Sequence, residues 1–300
     1  MCADTGIDAG VVVRRNTVSV YRDQDVALLL FWLRRPCYSA AKHRLFRYSM
    51  TAPTLPFDAQ TLTLETDTAR AAGQALNQTY RAAEPYHHIC VDDFLTPDIL
   101  DKVRDDLATL PDAEAAFDRA QEKLKTSYNP ERLPSYTRAL FHALNSRPFI
   151  LFLEEMTGIK GLIPDPYFIG AGIHRVANGG HLDIHADFNL HKQMNVERRL
   201  NVLIYLNKDW KEEYGGSFEV WDKEMTGKVA GFVPHFNRMC CFSTGSDTFH
   251  GNPETVNHPD GEHRMSIALY YYTATWDASR KAHTTLFKPR PGTADEVDRL

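Results

Sequence analysis

Apolar residues along this chain are spaced in two ways, and the change falls near residue 165. Before it, the spacing is helical. Thr96-Pro97-Asp98 opens a segment with Thr at the N-cap and Pro at the first helical position, which predicts a helix to about Leu110, where Pro111 stops it. Pro134 to Ile159 predicts two helices broken near Ser146-Arg147-Pro148, with Leu151, Phe152 and Met156 on one face of the second and Gly158 at its end. One short strand is expected ahead of them, over His88 to Phe94. After residue 165 the runs shorten to Tyr167–Val176, His181–Phe188, Leu200–Leu206, Ser217–Trp221, Arg238–Ser243 and Met265–Thr275. They are rich in aliphatic and aromatic residues, with Gly, Asn and Asp at the breaks. The expected class is therefore mainly β with flanking helices (α+β), a sandwich or jelly roll behind N-terminal helices.

The ends of the chain read differently. Residues 1–49 hold eight Lys/Arg against four Asp without clean periodicity, and Met50 opens a more ordinary stretch, so 1–49 is expected to be a poorly ordered extension. A linker or helical lead-in is expected over 50–84, one domain over 85–290 with its β-core at about 165–278, and a tail over 291–300.

Composition then removes some functions. A net charge of −5 and the lack of a basic stripe interleaved with aromatics argue against a nucleic-acid partner. The longest apolar run near the N-terminus, Val26 to Leu33, has eight residues where a membrane span needs roughly 20. Acidic residues around it and Arg34-Arg35-Pro36 after it do not fit a secretory signal, so a cytoplasmic protein is expected. The five cysteines lack C-x-x-C spacing. Adjacent Cys240 and Cys241 read as two core-filling thiols on opposite faces of a strand, outside any disulfide framework.

Chemistry concentrates in Gly179-Gly-His-Leu-Asp-Ile-His-Ala-Asp187-Phe. His181, Asp183, His185 and Asp187 recur every second residue, which on a regular strand points all four side chains to one face. Two imidazoles and a carboxylate on one side of an octahedron are the ligands of non-haem iron(II). Either H-x-D pair could supply the first two. His250, beside a Gly-Asn-Pro strand end, is a candidate for the third, with His235, His258, His263 and His283 as alternatives. Fourteen residues after His250, Arg264-Met-Ser266 opens the apolar strand Ile267-Ala-Leu-Tyr-Tyr-Tyr. An arginine among such neighbours is costly to bury unless it meets an anion, and its fork suits a carboxylate. Ser266, two residues on, shares its face.

In this order, Gly-Gly-x-x-x-x-His185-x-Asp187-Phe, Arg199-Leu-Asn-Val-Leu-Ile-Tyr-Leu-Asn-Lys-Asp-Trp210, Gly215-Gly216, His250 and Arg264-x-Ser266 resemble the prolyl 4-hydroxylase-like branch of the 2-oxoglutarate/iron(II) oxygenases, over roughly residues 85–278. The resemblance implies a double-stranded β-helix supported by N-terminal helices. It selects His185, Asp187 and His250 as metal ligands and makes His181 and Asp183 strand neighbours. It also implies Arg264 and Ser266 on the distal carboxylate of 2-oxoglutarate, with Tyr205 as a further contact. The implied activity is hydroxylation of an unactivated C–H bond with O2, releasing succinate and CO2, with ascorbate as an accompanying reductant. Asp187 favours hydroxylation over halogenation, because related halogenases have a small residue there. One departure is evident: where the family often has a cosubstrate-contacting tyrosine, this chain has His174-Arg175-Val176. The substrate expected is a prolyl or other protein residue, or a free small molecule. Two other classes fit less of the motif set: a cupin-like metalloenzyme, which has no need of Arg264-x-Ser266, and a silent β-helix binding protein, which would have lost a ligand.

Overall fold

The computed structural model describes residues 53–110, 115–274 and 281–291. The extension expected over 1–49 and, apart from residue 291, the tail expected over 291–300 lie outside these residues. No helix among the described residues is long and apolar enough to cross a membrane.

In chain order the elements are α1 (Thr66–Ala82), β1 (His88–Val91), α2 (Pro97–Ala108), β2 (Ala115–Phe117), β3 (Glu122–Tyr128), α3 (Ser135–Leu144), α4 (Arg147–Thr157), β4 (Ile163–Pro164), β5 (Gly172–Ala186), β6 (Leu190–His191), β7 (Val196–Tyr205), β8 (Phe218–Trp221), β9 (Lys228–Phe232), β10 (Met239–Ser243), β11 (His250–Asn252), β12 (Arg264–Thr273) and β13 (Leu286–Phe287). All pairings between these strands are antiparallel, in the order β1-β10-β7-β12-β5-β11-β8-β9. The result is a near-closed, jelly-roll barrel with four helices, the class expected from the sequence.

β5 is the strand that joins the two halves of the roll. Its first part, Gly172 to Val176, lies between β12 and β3, while its last residues pair with β11 and β13. The sequence pattern divides this stretch into two strands because Asn178-Gly179-Gly180 interrupts the apolar run, yet the backbone continues through it.

Alternation along β7, β10 and β12 sends one set of side chains to the helices. Leu200, Val202, Ile204, Met239, Cys241, Ile267, Leu269 and Tyr271 join Ile99, Val103, Leu140, Phe149, Phe152 and Met156 in one buried core. Leu55, Phe57, Leu62 and Leu64, from the stretch ahead of α1, belong to it as well. α1 reaches α4 closely because Gly73 has no side chain: a Cβ there would stand 2.4 Å from the Phe152 carbonyl oxygen.

Two local expectations need correction. Thr96 occupies the N-cap of α2, but its hydroxyl donates to the Phe57 carbonyl at 2.6 Å and caps nothing. The cysteines are not all free either: Cys90 on β1 faces Cys240 on β10, 4.4 Å apart between Cα atoms, and the two are disulfide-bonded. They are 150 residues apart, so no spacing announces the bond. Cys241 points the other way, into the helix-side core, as strand alternation requires.

Candidate active site

The second set of side chains on those strands faces the inside of the roll, around a cavity of about 260 Å³. β5 brings His185 to its penultimate position and Asp187 just past its end, and β11 brings His250 opposite His185 in register. His185 Nε2 lies 3.7 Å from Asp187 Oδ1, and His250 Nε2 lies 3.2 Å from Asp187 Oδ2. All three offer a ligand atom within 4.8 Å of the others.

Each imidazole is oriented by its own strand. His185 Nδ1 is 2.8 Å from the Asp183 carbonyl oxygen, and His250 Nδ1 is 3.1 Å from that of Thr248. A carbonyl can only accept, so Nδ1 carries the proton and Nε2 presents its lone pair toward Asp187. Burial lowers the His250 pKa, which keeps that ring neutral. Burial alone would raise the Asp187 pKa, but the surrounding interactions, led by the positive charge of Arg198, outweigh it and hold the carboxyl well below its ordinary range. Two imidazoles and one carboxylate form the donor set of non-haem iron(II), and the residues present fit that metal.

Asp187 has a second layer of partners that the sequence did not reveal. Asn201 donates from Nδ2 to Asp187 Oδ2 at 2.6 Å, and Arg198 Nη2 stands 3.3 Å from the same oxygen. Arg198 also donates from Nε to Asn201 Oδ1 at 2.9 Å. Its guanidinium is buried between two rings, 3.5 Å from the Tyr270 centroid and 4.4 Å from that of Phe188. Plain alternation would put residues 198 and 201 on opposite faces. A register shift opposite Tyr271 and Tyr272 brings both to the cavity instead.

A similar irregularity corrects the expectation that His181, Asp183, His185 and Asp187 share one face. His185 pairs with His250 while Leu182 pairs with Asn252, three residues on β5 against two on β11. Leu182 therefore lines the cavity together with His185 and Asp187. His181 turns to the Ala120 carbonyl oxygen, 3.1 Å from its Nε2. The other downstream histidines lie apart from the cluster. His258 packs against Trp210 and Tyr214, His263 faces Arg175, His283 meets Ser246, and His235 is only partly buried.

Arg264 and Ser266 both line the cavity. Arg264 donates from Nε to the Gly216 carbonyl at 2.6 Å and from Nη2 to the Tyr205 hydroxyl at 3.3 Å. Gly216 has to be glycine for this: its φ is +67°, and a Cβ would stand 2.8 Å from Arg264 Cδ. Burial lowers the Arg264 pKa from its usual value, while the Tyr205 contact acts in the opposite sense. Tyr205 is itself fully buried in an apolar cluster with Phe218 and Phe242 and meets the guanidinium from behind. At the position of the family's missing tyrosine, His174 and Val176 line the cavity, and Arg175 turns away to the Tyr128 hydroxyl at 2.9 Å. Trp210, by contrast, is a buried structural ring whose Nε1 donates to the Gly215 carbonyl at 3.1 Å.

A family model described as the 2OG-Fe(II) oxygenase superfamily matches residues 171–272. Among solved structures, a prolyl hydroxylase from Trichoplax adhaerens, in complex with a hypoxia inducible factor oxygen degradation domain peptide fragment, is 15% identical with a TM-score of 0.50, covering 69% of this chain and 91% of that one. Prolyl 4-hydroxylase from Phytophthora capsici is 15% identical with a TM-score of 0.48, over 77% and 69%. HygX from Streptomyces hygroscopicus, with nickel and 2-oxoglutarate bound, is 10% identical with a TM-score of 0.45, over 68% and 93%. No curated protein sequence matches. At such identities the structural likeness speaks for the fold alone. The family model spans the strands that deliver His185, Asp187, His250, Arg264 and Ser266, and over this stretch the chain is similar to the 2OG-Fe(II) oxygenase superfamily.

Proposed function

We propose that His185, Asp187 and His250 hold iron(II), and that Arg264 with Ser266 binds the distal carboxylate of 2-oxoglutarate. The observation that carries this reading is the pair of imidazoles tied at Nδ1 to backbone carbonyls, with both Nε2 atoms facing one carboxylate, above a cavity that also receives a buried arginine. When bound, iron(II) with 2-oxoglutarate and O2 supplies oxidative decarboxylation to succinate and CO2 coupled to hydroxylation of a C–H bond.

The protein's own contribution is coordination, charge and exclusion of water. Arg264 is anchored by Gly216 and Tyr205 before any cosubstrate arrives, so little side-chain order has to be gained on binding. Tyr205 accepts from Arg264 through its hydroxyl oxygen and so positions the guanidinium, while its own O–H is left to donate to the same distal carboxylate. Leu203, Phe218 and Phe242 give the inner cavity an apolar wall, which strengthens the Arg264–carboxylate attraction. The substrate is a protein residue or a free small molecule that enters past the β2–β3 hairpin and the start of β13, where Phe117, Thr285 and Phe287 line the same cavity.

The test is an anaerobic titration of the full chain with iron(II) and 2-oxoglutarate, followed by oxygen and a succinate assay. Wild-type protein is expected to make succinate slowly without added substrate, and His185→Ala is expected to bind iron at least a hundredfold more weakly. Equal metal affinity in the two proteins would remove His185 from the site.

A further inference from the structure

The ionisable side chains around the cavity are unevenly matched. Arg119, Lys125, Arg198 and Arg264 face Glu122 and Asp187, an excess of two positive charges. A divalent metal ion and the 2-oxoglutarate dianion cancel one another, so the loaded cavity keeps that excess. Within it the acids are already engaged. Glu122 Oε1 is 2.8 Å from Lys125 Nζ, and Asp187 Oδ2 is 3.3 Å from Arg198 Nη2. Arg264 belongs to the cosubstrate in the reading above. What remains is Arg119, at the tip of the β2–β3 hairpin, which makes no ion pair among the described residues.

Arg119 sits over an aromatic ring, its Cζ 5.6 Å from the Phe117 centroid, while Lys125 Nζ lies 5.4 Å from the same centroid. The hairpin therefore offers the cavity mouth a ring flanked by two cations. Further in, the wall continues with the rings of Phe188, Tyr270 and Phe287, the last 5.5 Å from the His185 imidazole. An apolar body could lie along these rings toward the metal ligands while an anionic end stays at the mouth. Arg119 is exposed and hydrated, so the excess charge acts as an attraction that favours an anion over a cationic or neutral polar substrate.

We propose that the substrate is a carboxylate: an acid with an apolar body, its carboxylate docked on the Arg119 guanidinium and its reacting carbon turned inward past Phe117 and Phe287. This rests on the oxygenase reading of the site. A free small molecule and a glutamate or aspartate side chain of a peptide both supply such an acid, because the recognising group is the same.

The experiment compares matched pairs against full-length protein loaded with manganese(II) and 2-oxoglutarate, with binding measured by calorimetry. The pairs are 3-phenylpropanoate with 3-phenylpropanamide, N-acetylglutamate with N-acetylglutamine, and a blocked hexapeptide containing one glutamate with its glutamine counterpart. At least one acid is expected to bind tenfold or more tightly than its amide. Arg119→Ala should bring that ratio to near one, and Arg119→Lys should retain much of it. Lys223→Ala, a surface lysine paired with Asp247 away from the cavity lining, serves as the control and should leave the ratio intact. Preference within the free-acid pairs or within the peptide pair tells the two sources apart. The proposal is overturned if no acid outbinds its amide, or if the ratio survives Arg119→Ala. Wild-type protein that makes no succinate from iron(II), 2-oxoglutarate and oxygen counts instead against the oxygenase reading itself.

Discussion

β7, β10 and β12 show two faces made from alternate residues of the same strands, and the faces are built on opposite principles. The helix side carries Val202, Ile204, Met239, Ile267 and Leu269 against Phe149 and Phe152, an apolar interior with ring–ring contacts such as Phe94–Phe152 at 5.7 Å. The cavity side carries Arg198, Asn201, Arg264 and Ser266, each buried and each costly to remove from water. The first face gains stability from every buried methylene. The second gives stability away and recovers part of it through directed contacts such as Asn201–Asp187 and Arg264–Gly216. Polar groups held at a cost on one face of a sheet mark where the protein meets its ligands.

The separation is broken most sharply by truncating the apolar face. Phe152→Ala, at a position with no exposure and contacts to Phe94 and Phe149, should lose about 3–5 kcal/mol of stability. Succinate formation per folded molecule should stay within about twofold of wild type at low temperature. Denaturant midpoints read alongside turnover check this, and a large loss of turnover in folded protein would mean that the two faces are not separable. On the other face, Arg264→Met exchanges a buried guanidinium for an apolar chain of similar length. It should weaken 2-oxoglutarate binding by about 2–4 kcal/mol, the range for truncating one partner of a buried charge pair. Its unfolding midpoint should be unchanged or higher, because an uncompensated buried cation has been removed. Calorimetric titration of 2-oxoglutarate into manganese-loaded protein measures the first effect.

The same contrast explains what could be read from the sequence. Helix-side residues follow simple periods, so α2, α3, α4 and most strands of the roll were legible, with ends displaced by a few residues. His185, Asp187 and His250 were legible as candidates because imidazole–carboxylate spacing is rare and ordered. Their neighbours were not. Arg198 and Asn201 share the cavity only because of a register shift, and Leu182 replaces Asp183 there only because of a bulge, and neither irregularity has a signature in the chain. Short strands whose existence depends on a partner, such as β2 with β3 or β13 with β5, carry too few residues to establish a period. The cavity mouth, with Phe117 and Arg119, was lost with them.

Asn201 is where the two faces can be compared at a finer scale, since Leu200 and Val202 on either side of it belong to the helix-side core. Asn201→Ala frees Asp187 Oδ2 and Arg198 Nε from their shared partner. Manganese(II) affinity should fall by about 10–100-fold, the usual effect of losing a group that orients a metal ligand. Val202→Ala next to it should leave metal affinity alone and lower stability. If Asn201→Ala binds manganese(II) as wild type does, Arg198 alone is sufficient to orient the carboxylate.

The smallest effect belongs to a contact outside both faces. Arg238 donates from Nε and Nη2 to the two oxygens of Asp92 at 2.6 and 2.9 Å, tying the end of β1 to the start of β10 beside Cys90–Cys240. The hydrogen-bonded Arg238 lowers the Asp92 pKa below its ordinary 3.8. A depressed carboxylate pKa adds stability that is fully present above the unfolded-state value and is lost as pH falls through the folded-state value. The Asp92 side chain is 61% exposed, so solvent screening limits the contribution to under about 1 kcal/mol. Asp92→Asn should therefore lower the unfolding midpoint slightly at pH 7, and its deficit relative to wild type should shrink below about pH 4. The difference between the two proteins should also narrow in high salt. A deficit that persists unchanged at pH 3 would show that Asp92 acts there through packing and not through its charge.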